Sequence, residues 1–140
     1  MTTRINVYLN FNGNCEEAMN FYKDCLGGEL TLNRFEGSPV EDQCPPDMKN
    51  KIMHSNLINN DIILMASDAL CSGELQEGNS ISLSLNCSSE EEIRTFFDKL
   101  SVGGQVKEEL KDQFWGATFG MLIDKYGVNW LLNYEKTPYQ

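Results

Sequence analysis

At 140 residues the chain has the length of one domain and can bury a core without disulfide staples. Its 11 Lys and Arg against 21 Asp and Glu leave a formal charge of -10, which repels phosphate backbones and anionic membrane surfaces and argues against nucleic acid as a partner. No apolar run approaches the roughly 18 residues needed to cross a bilayer. Met1 to Asn10 lacks the charged start and apolar core of a signal peptide, so a cytoplasmic protein with no membrane partner is expected.

Residues 4 to 11, RINVYLNF, alternate with period two, which sets Val7, Leu9 and Phe11 on one face of a strand and Asn6, Tyr8 and Asn10 on the other. Asn12-Gly13-Asn14 supplies a turn, with Asn14 as the expected N-cap and Glu16 and Glu17 favourably placed for the helix dipole. The helix is expected from Cys15 to about Leu26, with Ala18, Phe21, Tyr22, Cys25 and Leu26 as its apolar stripe and Gly27-Gly28 as its stop. A second strand follows over about Glu29 to Phe35. Gly, Ser, Pro, Asp and Asn then dominate from Glu36 to Asn50, an exposed excursion of the kind that serves as a lid or partner contact. Strands resume at Lys51 to Ile58 and Asp61 to Ser67 around the hairpin signal Asn59-Asn60, and Asp68 to Asn79 reads as loop.

The pattern then starts again. Ile81, Leu83 and Leu85 alternate with Ser82, Ser84 and Asn86; Ser88-Ser89 cap a helix with Glu90, Glu91 and Glu92 in its first turn; Ile93, Phe96, Phe97 and Leu100 form its stripe; and Gly103-Gly104 ends it. A strand near Gln105 to Leu110 leads to a closing hairpin, with strands from about Trp115 to Ile123 and on to about Tyr134 around a turn at Asp124 to Gly127. Gly116, Gly120 and Gly127 are read as backbone requirements, Gly127 supplying positive φ. EEAMNFYKDCLGG is echoed by EEEIRTFFDKLSVGG about 75 residues later, so both halves read strand, helix, three strands.

Two βαβββ modules, one over about 1 to 70 and one over about 78 to 135 with a short tail, give an α+β fold. Their curved mixed sheets pair around a cavity with the helices outside. If the apolar residues of both opening strands face the helices, Asn6, Tyr8, Asn10, Ser82, Ser84 and Asn86 line the concave side. Polar residues there point to a solvated cavity, the preferred reading, or to a face that simply meets bulk water.

Cys15, Cys25, Cys44, Cys71 and Cys87 are odd in number and show no Cys-x-x-Cys pair, so neither a disulfide framework nor a zinc knuckle is suggested. A Cys-His nucleophile pair would have to use His54, the single histidine, and is disfavoured. On the third strand His54 can face the cavity beside Asn56 as a base or lone metal ligand, against the preferred reading of a half-buried histidine bonded to backbone. Asp68 can hold a ligand, but a loop cap is preferred. Trp115 and Trp130 are read as core or dimer contacts before pocket walls that stack on a planar or cationic group.

The succession YLNFNGNCEEAMNFYKDCLGGEL, KIMHSNLI, DIILMASD and WGATFGMLIDKYGVNWLLNYE resembles the PhnB-like branch of the glyoxalase/bleomycin-resistance group, the vicinal oxygen chelate superfamily, across nearly the whole chain. The resemblance implies paired βαβββ modules around a cavity, commonly in a homodimer. It also implies a divalent ion held by His, Glu or Gln near the starts of the opening strands and the ends of the closing ones. Carried over, those positions fall on Asn6 or Tyr8, on Ser80 or Ser82, near Leu64 or Met65 and near Leu131, none with the imidazole or carboxylate such a metal prefers. Glu135 sits several residues late.

Some members of that branch carry a demethylubiquinone methyltransferase label. The absence of a glycine-rich nucleotide loop after the first strand speaks against it here. The leading expectation is a homodimeric small-molecule binding protein with no cofactor and a cavity lined by Tyr8, Asn10, His54, Asn56, Ser82, Ser84 and Trp115. Whether it is an enzyme stays open. The alternatives are a metal-dependent glyoxalase-, dioxygenase- or thiol-transferase-like enzyme whose strand registers differ from this reading, an acid-base catalyst using His54, or a partner-binding protein acting through the 36–50 loop.

Overall fold

Strand alternation and helical stripes organise the chain into two βαβββ repeats. The computed structural model describes residues 3, 5–38, 48–68, 78 and 80–136. The first repeat runs β1 (Val7–Phe11), α1 (Cys15–Leu26), β2 (Glu29–Arg34), β3 (Ile52–Asn59) and β4 (Ile62–Asp68). The second runs β5 (Leu83–Asn86), α2 (Glu90–Leu100), β6 (Gln105–Asp112), β7 (Ala117–Ile123) and β8 (Asn129–Glu135). The repeats fall in two compact units, Met1–Gln76 and Glu77–Gln140.

Each unit holds a four-stranded mixed sheet, ordered β1-β4-β3-β2 in the first and β5-β8-β7-β6 in the second. The opening strand lies parallel to the last, and the other neighbours are antiparallel. In the first unit α1 packs across β2, β3 and β4. It buries Cys15, Ala18, Met19, Tyr22, Cys25 and Leu26 against Leu57, Leu64 and Ala66. Met19 takes the place in the stripe expected for Phe21, which is only half-buried. In the second unit α2 covers β7 and β8 with Ile93, Phe97 and Leu100, while Trp130, Leu122 and Leu132 fill the layer beneath.

The two Gly-Gly pairs are required by close approach. A Cβ on Gly28, whose φ is +100°, would lie 2.5 Å from the carbonyl oxygen of Ile58. One on Gly104 would collide with the carbonyl oxygen of Ile123. Each glycine lets the strand after the helix start flush against the far end of an inner strand. Gly127 and Gly116 do adopt positive φ, but Gly120 does not. Gly120 makes room instead, because a Cβ there would stand 2.8 Å from both the Phe97 ring and Leu110.

Several expectations shift. Asn14 precedes α1 but makes no side-chain cap bond. The acceptor is Asp68, far along the chain, which takes the amides of Gly13 and Cys15 on Oδ1 and that of Ile52 on Oδ2, each at 2.9 Å. Asp68 therefore belongs to β4 as a buried cap, not to a loop. Ile81 and Ser82 lie outside the strand because parallel pairing begins only at Leu83 with Trp130, and Ile81 is left exposed. The Asn59-Asn60 turn moves one residue on, with Asn59 inside β3 and Asn60 at φ +54°. Trp115 is not in a strand. It sits in the turn closed by Gly116 N–H donating to Gln113 O and Gln113 N–H donating to Ala117 O. Residues 39–47 of the expected excursion, and most of the loop after Asp68, lie outside the described residues.

Candidate functional site

Strand alternation decides which side chains each sheet can offer to a ligand. In the first unit Ser55 contacts Cys15 of α1 and Asp68 caps the same helix, so both point to the helix side. Their neighbours in sequence then point away from it. That open face carries Tyr8 and Asn10 from β1, His54 and Asn56 from β3, Met65 and Ser67 from β4, and Thr31 and Asn33 from β2. Four residues singled out in the sequence, Tyr8, Asn10, His54 and Asn56, are thus brought onto one face of one sheet. Tyr8 and His54 meet diagonally, their ring centroids 6.0 Å apart and tilted by 52°. Tyr8 is 45% exposed and His54 and Asn56 are half-buried, so the face is solvated.

Thr31, Asn33 and Ser67 were not singled out from the sequence, although the alternation with Leu30, Leu32 and Ala66 was there to be read. What hid them was the lack of any distinctive residue type in β2 and β4.

In the second unit the spot beneath Phe97 is filled by Gly120, so Phe119 and Met121 face away from α2. Ser84 pairs with Leu131 and Asn86 with Asn133 on that same open face. Ser82 lies just before β5 and is exposed. Trp115, 52% exposed, packs edge-on against Phe119 at a centroid distance of 6.2 Å. Trp130 separates from it completely: it is core, its indole Nε1 donating to Asp124 Oδ2 at 2.8 Å. Asp124 also accepts from the amides of Tyr126 and Val128, which fixes the closing turn.

Among the described thiols, Cys15 and Cys87 are unsuited to nucleophilic work. Burial pushes Cys15 up to about 11, the neighbouring Asp68 and Glu16 carboxylates adding to a shift that the Ser55 hydrogen bond only partly opposes. Burial, with Glu92 adding, takes Cys87 to about 12. Both stay protonated near neutral pH. Cys15 and His54 also lie on opposite faces of their sheet, so they form no Cys-His pair. Cys25 is buried, and Cys44 and Cys71 lie outside the described residues.

Register tests the metal positions. Tyr8 stands beside Met65 across β1 and β4, whereas Leu131 pairs with Ser84, and Ser80 and Ser82, the positions carried over for the second opening strand, lie before β5. A phenol, a thioether, a hydroxyl and an isobutyl group are poor donors for a first-row divalent ion. Among the described residues no three His, Cys, Asp or Glu side chains gather where an ion could be held. Among the described residues, those at the carried-over positions do not fit the metal that the superfamily resemblance implies. No described helix is long and apolar enough to cross a membrane.

Comparison with known proteins agrees with this architecture. Residues 3–133 match the family described as 3-demethylubiquinone-9 3-methyltransferase. Protein YjdN of Escherichia coli K12 is 33% identical over 138 residues, covering 92% of this chain and 93% of that protein. The crystal structure of protein PA1353 from Pseudomonas aeruginosa is 41% identical with a TM-score of 0.85, covering 96% of this chain and 98% of that one. A putative 3-demethylubiquinone-9 3-methyltransferase, PhnB protein, from Bacillus cereus is 30% identical with a TM-score of 0.75, over 94% and 99% of the two chains. A glyoxalase-related enzyme from Fulvimarina pelagi, at 16% identity and a TM-score of 0.65 over 96% and 89% of the chains, shares the fold. The chain shares the α+β fold of that glyoxalase-related enzyme, and it belongs to the PhnB-like family named for 3-demethylubiquinone-9 3-methyltransferase.

Proposed function

We propose that the protein binds a small organic molecule on the open, polar faces of its sheets without a resident divalent metal or other cofactor, as a cytoplasmic homodimer. The observation that carries this reading is the face made by Tyr8, Asn10, His54 and Asn56: solvated, rich in hydrogen-bonding groups, and flanked at the expected metal positions by Met65 rather than a carboxylate. Ser82, Ser84 and Trp115 are the corresponding candidates in the second unit.

Support against a methyltransferase reading is local. The donor cofactor of such enzymes needs a glycine-rich turn after the first strand and free amides at the following helix start. Here the turn holds one glycine, and the amides of Gly13 and Cys15 already donate to Asp68. The residues around this turn do not fit that cofactor.

The test is amide chemical-shift mapping of the full chain against a panel of small metabolites. The reading expects at least one compound whose shifts cluster on Tyr8, Asn10, His54 and Asn56 and vanish in Asn56→Leu. Shifts confined to other surfaces across the panel would count against it. The acid-base alternative rests on the Tyr8–His54 contact. It predicts turnover lost in His54→Ala, and full activity in that variant would remove it.

A further inference from the structure

The open face of the first sheet is graded in polarity. Register places Tyr8, Met65, Asn56 and Thr31 in one row across all four strands. One row toward the end of β1, Asn10 pairs with Ser67 and Asn33 with His54, and continuing the β3–β4 register by one residue brings Ser67 beside His54. One row the other way, Ile63 pairs with Ile58, and Ile58 with Glu29 at the sheet's rim. Rows on one face of a sheet are about 7 Å apart and four strands span about 14 Å. The three rows therefore form a patch the size of a small organic molecule, polar at one end, mixed in the middle and, at the other end, apolar over the two inner strands between Asn6 and Glu29.

Away from Glu29 at the rim, these positions hold no Asp, Glu, Lys or Arg, in a chain with 21 acidic and 11 basic residues. Among the described residues, two ionised groups next to these rows are committed elsewhere. Arg34 forks onto Glu16 on the helix side through bonds of 2.9 and 2.8 Å. Asp68 is buried beneath the start of α1.

Carboxamides and hydroxyls donate and accept hydrogen bonds alike, which suits a neutral carbonyl, amide or hydroxyl. A carboxylate, or an ammonium away from Glu29 at the rim, would find dipoles but no counter-charge on leaving water for this face, and that desolvation is costly. The half-exposed Tyr8 ring, tilted against His54, gives the middle row a flat wall for a planar group.

We infer that this face selects an uncharged ligand, its hydrogen-bonding head over the row of Asn10, Ser67, His54 and Asn33 and its apolar body toward Ile58 and Ile63. The inference rests on the reading of this face as a binding site and adds the ligand's charge and orientation.

Benzamide, benzoate and benzamidinium share one shape and differ in charge, so they separate the two claims. Each is titrated into the full chain at about 0.15 M salt, where long-range attraction to a charged surface is screened. Binding is followed by backbone and side-chain amide shifts. Benzamide is expected to shift the carboxamides of Asn10, Asn33 and Asn56, with both ions about tenfold weaker or worse on this face. Equal or tighter binding of either ion there would overturn charge selection while leaving the binding site standing. If all three leave the face unperturbed, the binding reading falls with it. Asn56→Asp, which sets a carboxylate in the middle row, should reverse the order in favour of benzamidinium. A retained preference for benzamide in that folded variant would overturn the inference.

Discussion

The two βαβββ units follow one plan and secure it by different means. In the first, the start of α1 is held by Asp68, a residue more than fifty positions away that also takes the amide opening β3. In the second, the start of α2 is held from within: Ser89 Oγ accepts from Glu92 N at 3.0 Å, and Glu92 Oε1 accepts from Ser88 N at 3.0 Å. The buried carboxylate of that unit, Asp124, serves its own hairpin instead, bonding residues two, four and six positions on. One unit thus stakes its helix on a tertiary contact, and the other on a local capping box with a locally braced turn.

The sharpest way to break this comparison is to remove the carboxylates. Asp68→Ala strands three N–H groups and should cost on the order of 3 kcal/mol or more, read by urea denaturation. Hydrogen exchange should speed together at Gly13, Cys15 and Ile52. Asp124→Ala should be of similar size, but with faster exchange confined to the 124–130 turn. If Asp68→Ala loosens only its own strand, the tertiary cap is not what fixes α1.

Close packing at the helix ends comes next. Gly28→Ala and Gly104→Ala each force a methyl group against a backbone carbonyl and should cost about 2–3 kcal/mol. Equal losses would show that the two units share this constraint even where their caps differ. A neutral Gly104→Ala would show that the β6 edge yields.

Smaller still is the contrast between caps. Ser89→Ala should cost about 1 kcal/mol, whereas Asn14→Ala, with no cap bond to lose, should lie within about 0.5 kcal/mol of the parent.

The smallest effect is the Arg34–Glu16 pair. Its hydrogen bond to Arg34 holds the Glu16 carboxyl below its ordinary value of 4.5, against a small opposing effect of burial. A lowered folded value stabilises above the unfolded one and is lost as pH falls through the folded one. Because the two side chains are 39% and 47% exposed, solvent screening holds the contribution to about 0.5 kcal/mol. Glu16→Gln should therefore lower neutral stability by about 0.5 kcal/mol, leave strongly acid stability unchanged and so flatten the acid limb of the profile slightly.

These differences explain what could be read in advance. Helix α1 falls on its expected span of Cys15 to Leu26 with Gly27 as its C-cap, because stripes and breakers are local signals, whereas α2 ends at Leu100 on Ser101, before the expected Gly103-Gly104 stop. The Ser89 cap was legible for the same reason. The Asp68 cap was not: nothing near Asn14 announces a partner more than fifty residues later, and the local candidate was chosen instead. Ile81 looked like strand by alternation, but pairing with β8 begins two residues further on.

The candidate site was half legible. Tyr8, Asn10, His54 and Asn56 converge because alternation within β1 and β3 is regular. Asn33 and Ser67 are hidden by the ordinary residue types of β2 and β4, and it is the register between strands, which a single segment does not encode, that sets them beside His54 and Asn10. Trp115 and Trp130 could not be told apart by type. The indole of Trp130 is sunk against Asp124, while that of Trp115 stands out beside Phe119.

The most direct test of a binding face without a resident ion is elemental analysis of the native chain. Protein is incubated with Zn, Mn, Ni and Fe in turn and freed of unbound ion before measurement. The account predicts far less than one equivalent retained in every case, with no difference between the parent and His54→Ala. One equivalent of any of these metals held by the parent and lost in His54→Ala would contradict it.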